Sequence, residues 1–281
     1  MKMKVFGILL ALLMLCGVSA FAAEHAPLEV HFIDVNIADC ALLINGDHAM
    51  LIDAGNLYRA GLVLDYLKEH NIEKLDAIFI SHPHNDHMGG FLGIVGQIPI
   101  EKCYMGANFE GYRSDAYDKL TALRKEANLE MTYLESEDTF PFGDLEMTVY
   151  CWMERKATEN DHSMIVHAKF GNRAFLFGAD IENRAQFALG LEFGERLKAD
   201  VLKVPHHGQN RVMQEMHDAV QPQYAIITNG DWPESVKSQI RLMERRGVLW
   251  YCTTNGTIVF KTDGEDLSVE QLEKAYKYFT E

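Results

Sequence analysis

The chain has 281 residues, 48% of them hydrophobic, which is enough apolar material for a sizeable core, and no Gly/Ser/Pro-rich linker or low-complexity tract divides it. A length of this order fits one large α/β domain behind a short leader. The formal net charge of −15 argues against a chain that tracks polymeric nucleic acid, because such binders need a basic stripe to release counterions from phosphates.

Residues 1–22 carry Lys2 and Lys4, an apolar run over 5–15, and then Ala20, Phe21 and Ala22. This is the layout of a secretory signal peptide with a small-x-small cleavage site, and the apolar run is too short for an ordinary membrane span. Cleavage is expected before Ala23, leaving a mature domain of 23–281 that is exported from a bacterium, periplasmic or secreted, with no stable membrane span. Cys16 does not make a lipid-attachment site, since the bulky Leu15 stands where such sites place a small residue. Loss of the two leader lysines takes the net charge from −15 to −17.

In chain order, apolar runs and turn residues predict strands near 28–35, 40–45 and 48–53, and a helix near 58–70 whose face holds Leu62, Leu64, Tyr66 and Leu67. A strand near 76–81, a helix over 88–95, a strand near 101–105 and a helix near 113–127 follow. The second half reads as strands near 145–153, 164–170 and 173–179, a helix near 181–191, and strands near 200–205 and 223–228. It closes with a helix near 234–246, strands near 248–252 and 256–261, and a last helix near 268–279. The arginines within 241–246 read as a solvated helix face.

The densest chemistry lies in residues 76–90, DAIFISHPHNDHMGG. A short apolar strand delivers His82, His84, Asp86 and His87 to a turn that ends in two glycines. Imidazole and carboxylate suit zinc and similar divalent ions, and in an extended segment His82 and His84 point to one side and can grip one ion together. Asp86 and His87 face differently and can serve a second. Three further apolar runs also end in ligand-type residues: Asp53 after 49–52, Asp180 after 174–178, and His206 with His207 after 201–205. Turn chemistry accounts for any one of these, but it is a poor account of all of them.

The segments VHFIDVNIADCALLI (30–44), MLIDAG (50–55), SHPHNDHMGG (81–90) and LKVPHHG (202–208) resemble the metallo-β-lactamase superfamily over essentially the whole exported part of the chain. The likeness is greatest to the branch holding the hydrolase-like domain of DNA-uptake channel proteins and the secreted phosphorylcholine esterases. The resemblance implies an α/β four-layer αββα sandwich with the site at one edge. It implies His82 and His84 as ligands of a first metal, Asp86, His87 and His206 as ligands of a second, and Asp180 as a bridge. Of the adjacent pair, His206 is the expected ligand. Asp53 would support the site from behind the ligands, a role whose loss weakens metal binding.

The sequence departs from that pattern in three places. The third ligand of the first metal should precede the strand near 164–170, where the chain reads ENDHS (159–163), so either His162 completes the set or Asn160 replaces the ligand. A glycine-glutamine-glycine run common in relatives reads Asn36, Ile37, Ala38, which makes close backbone approach harder. A histidine-proline pair is replaced by Trp232 and Pro233.

The implied cofactor is a pair of divalent ions, zinc first, with manganese and iron open because mixed histidine and carboxylate sites accept all of them. A water bridging such ions loses its proton near neutrality, its pKa falling from 15.7 to about 7. The resulting hydroxide attacks phosphorus or carbonyl carbon without a protein nucleophile, and no G-x-S-x-G motif supplies one. Asp86 and Asp180 are candidate proton acceptors, and His207 and Asn160 candidate donors to the substrate. The leading expectation is a phosphodiester or phosphomonoester hydrolase acting on a small-molecule substrate. The alternatives are a lactam, lactone or thioester hydrolase, whose usual glycine-histidine-threonine/serine pattern is missing around His162, and a non-catalytic extracytoplasmic binding protein. Cys40, Cys103, Cys151 and Cys252 remain after the leader and are read either as disulfide partners or as free buried thiols. Tyr104, Phe109, Tyr112 and Trp232 either line a pocket or simply pack.

Overall fold

A computed structural model describes residues 26–273; the leader and residues 274–279 of the expected last helix lie outside the described residues. The first half runs β1 (Leu28–Phe32), β2 (Ala41–Asn45), β3 (His48–Ile52), α1 (Ala60–Glu69), β4 (Leu75–Ile80), α2 (Asn85–Met88), α3 (Phe91–Ile94), β5 (Ile100–Gly106), α4 (Asp115–Glu126) and β6 (Met131–Leu134). The second runs β7 (Thr139–Phe142), β8 (Leu145–Tyr150), β9 (Ile165–Phe170), β10 (Arg173–Phe177), α5 (Asn183–Phe193), β11 (Val201–Lys203), α6 (Gln214–Val220), β12 (Tyr224–Ile227), α7 (Glu234–Arg245), β13 (Leu249–Cys252), β14 (Ile258–Thr262) and β15 (Leu267–Gln271).

These strands form an eight-stranded sheet in the order β15-β14-β1-β2-β3-β4-β5-β6 and a seven-stranded sheet in the order β13-β12-β11-β10-β9-β8-β7. Phe32, Phe79, Phe175 and Phe260 lie in the layer between the sheets. A second apolar layer joins the first sheet to α1, α3 and α4, and a third joins the other sheet to α5, α6 and α7. The result is the expected α/β sandwich with helices on both outer faces. β4 shows why its sequence is almost continuously apolar: Ala77 and Phe79 face the inter-sheet layer while Ile78 and Ile80 face the helices, so both sides must be dry.

Within each sheet antiparallel pairing gives way to parallel pairing. β3, β4, β5 and β6 run parallel in the first, and β10, β11, β12 and β13 in the second. In parallel α/β sheets the crevice beyond the carboxyl ends of the strands is where ligands bind. The ends of β3, β4, β10 and β11 are the points from which Asp53, the His82 turn, Asp180 and the 206–207 pair emerge.

Some elements differ from expectation. Residues 268–271 are strand, not helix: Leu267, Val269 and Gln271 are half-buried and Ser268 and Glu270 exposed, and β15 pairs antiparallel with β14, so period-two burial wins over helical spacing. The helix over 88–95 is two short helices, because Gly89 and Gly90 intervene. β6, β7 and α6 were not anticipated. β6 and β7 are four-residue edge strands, and Pro141 in β7 belongs on an edge, where a missing N–H is tolerated. Cys40, Cys103, Cys151 and Cys252 are all buried free thiols. Among the described residues no helix is long and apolar enough to cross a membrane.

Candidate metal centre

In the first sheet the chain turns sharply at Asp53, which sits in the left-handed region at φ 56°. Its carboxylate accepts the Ser81 amide at 2.9 Å and the Ser81 hydroxyl at 2.7 Å, and lies 2.8 Å from His87 Nδ1. β3 is thereby tied to the histidine turn. The turn is also pressed onto the β3 end by backbone bonds from Ala54 N to His87 O and from Gly90 N to Gly55 O, at 2.9 and 2.7 Å. A Cβ on Gly90 would stand 2.0 Å from the Ala54 carbonyl, so the second glycine is required by close approach.

In the second sheet, Ala179 at φ 43° directs Asp180, and His206 and His207 both adopt φ 52°. Non-glycine residues in this region are strained by about 1–3 kcal/mol each and persist where surroundings over-determine them. Here the His206 amide donates to the Ala179 carbonyl at 2.9 Å, and Asn229 Nδ2 donates to the His207 carbonyl at 3.0 Å.

These turns bring Asp39, His87, Asp180 and His207 together, with one donor atom from each lying within 4.8 Å of the others. His87 Nε2 is 3.1 Å from Asp180 Oδ1, and His207 Nε2 is 3.3 Å from Asp86 Oδ2 and 3.5 Å from Asp180 Oδ2. The His82 ring is 4.1 Å from that of His87. Despite these short separations, the buried atoms His82 Nε2, His87 Nε2, His207 Nε2 and Asp180 Oδ1 make no aligned hydrogen bond. Buried polar atoms left unpaired cost about 1–3 kcal/mol each. Three imidazole nitrogens and a carboxylate oxygen in one dry spot form a donor set that fits a divalent ion.

The electrostatics agree with such a set. Burial opposes protonation of His87, but the carboxylates of Asp180, Asp53 and Asp39 outweigh it and hold the imidazole at about 10. His207 is likewise raised against burial by Asp180 and Asp39. Burial, reinforced by His87, drives His82 well below the ordinary histidine range. Burial pushes Asp86 upward, yet the neighbouring imidazoles of His207 and His87 hold it at about 2. A cation bound among these carboxylates would compete with the protons that they favour on His87 and His207.

The other residues singled out from the sequence fall into two groups. At the mouth, His84 is about one-third exposed with Nε2 2.9 Å from Glu159 Oε2, and its ring is 4.6 Å from that of His82. His206 Nε2 is 3.8 Å from Asp180 Oδ2 and its Nδ1 3.9 Å from Glu182 Oε1, so of the adjacent pair it is His207, not the expected His206, that enters the buried cluster. Asn160 donates to Glu182 Oε1 at 3.2 Å and keeps a buried, unpaired Oδ1. His162 turns away: its Nε2 meets the Glu154 carbonyl at 2.9 Å, outside the cluster. Tyr104 and Phe109 pack in apolar layers. Trp232 is 36% exposed and meets Trp250 edge-on. Asn36 adopts φ 75°, which asparagine tolerates better than other side chains.

Sequence reading missed Asp39, Lys203, Glu159 and Glu182. Lys203 had a signal: a lysine that closes a wholly buried strand must have a buried partner. Asp39 lies inside the segment 30–44 but beside the altered turn at 36–38 that drew attention.

The profile of the metallo-beta-lactamase superfamily matches residues 33–221. Among curated proteins the chain is similar to "Competence protein ComA" of Neisseria gonorrhoeae, 25% identical over 228 residues covering 78% of this chain and 30% of that protein. It is similar also to "ComE operon protein 3" of Bacillus subtilis (strain 168), 23% identical over 206 residues covering 71% of this chain and 26% of the other. The chain thus spans less than a third of the length of these relatives. Among solved structures, the metallo-beta-lactamase fold protein YhfI from Bacillus subtilis superposes with TM-score 0.55 at 14% identity, covering 84% of this chain and 100% of that one. A matched profile over most of the chain, on a sandwich whose histidine and aspartate turns converge at one edge, places the protein in the metallo-β-lactamase superfamily.

Proposed function

We propose that the protein is an exported hydrolase that uses two divalent ions, zinc first, to cleave phosphoester bonds in a small-molecule substrate. The observation that carries this reading is the group of buried, unpaired donor atoms on His82, His87, His207 and Asp180. Asp86, His87 and His207 would hold one ion and His82 and His84 the other, with Asp180 between them and His206 beside its outer oxygen. Bound there, such ions supply an activated water and positive charge for the oxygens of an in-line displacement. Asp53 fixes the His87 ring through Nδ1. Asp86, about one-third exposed, reaches the mouth and is the group placed to take up a proton. His207 is fully buried and serves as a ligand in this scheme, while Asn160, half-buried beside Glu182, is the neutral group nearest an entering substrate.

Two features favour a phosphoester over a lactam, lactone or thioester. The pattern around His162 typical of the latter is missing, and its ring faces the Glu154 carbonyl. An Asp180 carboxylate between two donor sets also suits a clamp on both the attacking and the leaving oxygen. The test is metal content of the chain lacking residues 1–22, by plasma mass spectrometry, with hydrolysis of bis-p-nitrophenyl phosphate and of a chromogenic lactam. Two ions per chain with phosphodiester cleavage are expected, both reduced by Asp180→Asn. Lactam cleavage alone moves the reading to the second class, and no ion with no turnover leaves a binding protein.

A further inference from the structure

Asp39 and Lys203 are buried charges without a task in the scheme above. Asp39 precedes β2 in the first sheet and Lys203 closes β11 in the second, so their ion pair joins the two sheets directly behind the donor cluster. Lys203 is 2% exposed and Asp39 6%. The ammonium also donates to the Ala179 carbonyl at 2.9 Å and stands 3.9 Å from Asp180 Oδ1. Asp39 Oδ1 accepts the Thr228 hydroxyl at 2.6 Å and lies 3.2 Å from His207 Nδ1, whose hydrogen bond goes to that same Thr228 oxygen at 3.3 Å.

Position alone would make Asp39 a metal ligand, since its carboxylate is one of the four donors that converge. Its bonding says otherwise. Both of its oxygens are engaged by groups of the second sheet, whereas His87 Nε2, His207 Nε2 and Asp180 Oδ1 are unpaired. The arrangement also parallels one already described: Asp53 stands behind His87 Nδ1 at 2.8 Å, and Asp39 stands behind His207 Nδ1 with the Thr228 hydroxyl beside it.

We propose that Asp39 and Lys203 are positioning residues of the metal centre. Asp39, together with the Thr228 hydroxyl that it orients, faces the Nδ1 side of His207 so that the ring offers Nε2 to the ion, and Lys203 holds Asp39 against the second sheet and outside the coordination set. This rests on the metal-dependent reading.

The test loads the mature chain with cobalt(II) and records its visible d–d absorption and its affinity against a chromogenic chelator, for wild type, Asp39→Asn, Lys203→Met and the double variant. Asp39→Asn is expected to weaken binding about ten- to a hundredfold, as outer partners of ligands do, with the wild-type band shape kept. Lys203→Met releases Asp39 toward the ion and is expected to weaken and shift the bands, a sign of higher coordination number. The double variant removes the Asp39 carboxylate that Lys203→Met alone leaves buried without its cation, is expected to fold even if Lys203→Met does not, and is expected to return the wild-type band shape at the lowered affinity. A band change in Asp39→Asn typical of a lost ligand overturns the proposal, as does binding within about twofold of wild type in the double variant. A wild type that takes up no cobalt removes the metal-dependent reading and the proposal together; wild-type uptake with unaltered variants removes the proposal alone.

Discussion

His206 and His207 share a side chain and the same left-handed backbone, yet one is buried among Asp39, Asp86 and Asp180 while the other is one-fifth exposed between Asp180 and Glu182. Two successive residues at φ 52° turn their side chains apart, and only the surrounding elements decide which points inward. His162 shows the converse, a histidine in the expected segment whose ring is spent on a backbone carbonyl. His207→Ala is accordingly expected to lower metal affinity by more than the ten- to hundredfold typical of an outer partner, and His162→Ala to leave it within about twofold. Chelator competition on the two variants measures this, and equal losses would contradict the placement.

At the scale of elements, α1 packs on the first sheet through Ala60, Val63 and Leu67 and carries Tyr66 and His70 over His31 of β1. His31 Nδ1 is 2.8 Å from the Tyr66 hydroxyl and Nε2 3.1 Å from Glu29, with the His70 ring 5.0 Å away. Burial, reinforced by the charge of His70 and in part offset by Glu29, with Lys261 nearby, lowers His31 to about 4. The unfolded chain binds this proton near 6.5 and the folded one only near 4, so the stability it confers is complete above about pH 6.5 and is lost as pH falls toward 4. The full loss is roughly 3 kcal/mol. Thermal melts from pH 7.5 to 4.5 are expected to fall more steeply for wild type than for His31→Gln, and parallel curves would show that His31 titrates normally.

Across the whole molecule the acidic balance bears on partners. A net charge of −15 repels a phosphate polymer at long range, and two arginines of the 241–246 cluster are locally engaged: Arg241 pairs with Glu234, and Arg246 bonds the Val212 carbonyl and Gln214. On the proposed reading, bound divalent ions would supply local positive charge that admits one small phosphoester. No retardation of a 30-base-pair duplex is therefore expected in a gel-shift titration at roughly 100 mM salt, and binding with a steep salt dependence would reveal a phosphate track that the charge balance does not suggest.

The amino-acid sequence by itself determined which apolar runs end in ligand-type residues, and the resemblance of its segments 30–44, 50–55, 81–90 and 202–208 to a known family implied the sandwich. Buried parallel strands must be apolar on both faces, and the switch from an apolar run to His82, Asp180 or His207 is visible in one dimension. It did not determine the short edge elements β6 and β7, whose few residues carry little periodic signal, nor β15, whose partner β14 supplies the bonds that make it a strand. Nor did it determine which of His206, His207 and His162 joins the cluster, or that Asp39 and Lys203 meet behind it. Those outcomes depend on side-chain direction at strained turns and on contacts between residues far apart in the chain, which exist only once the two sheets close on each other.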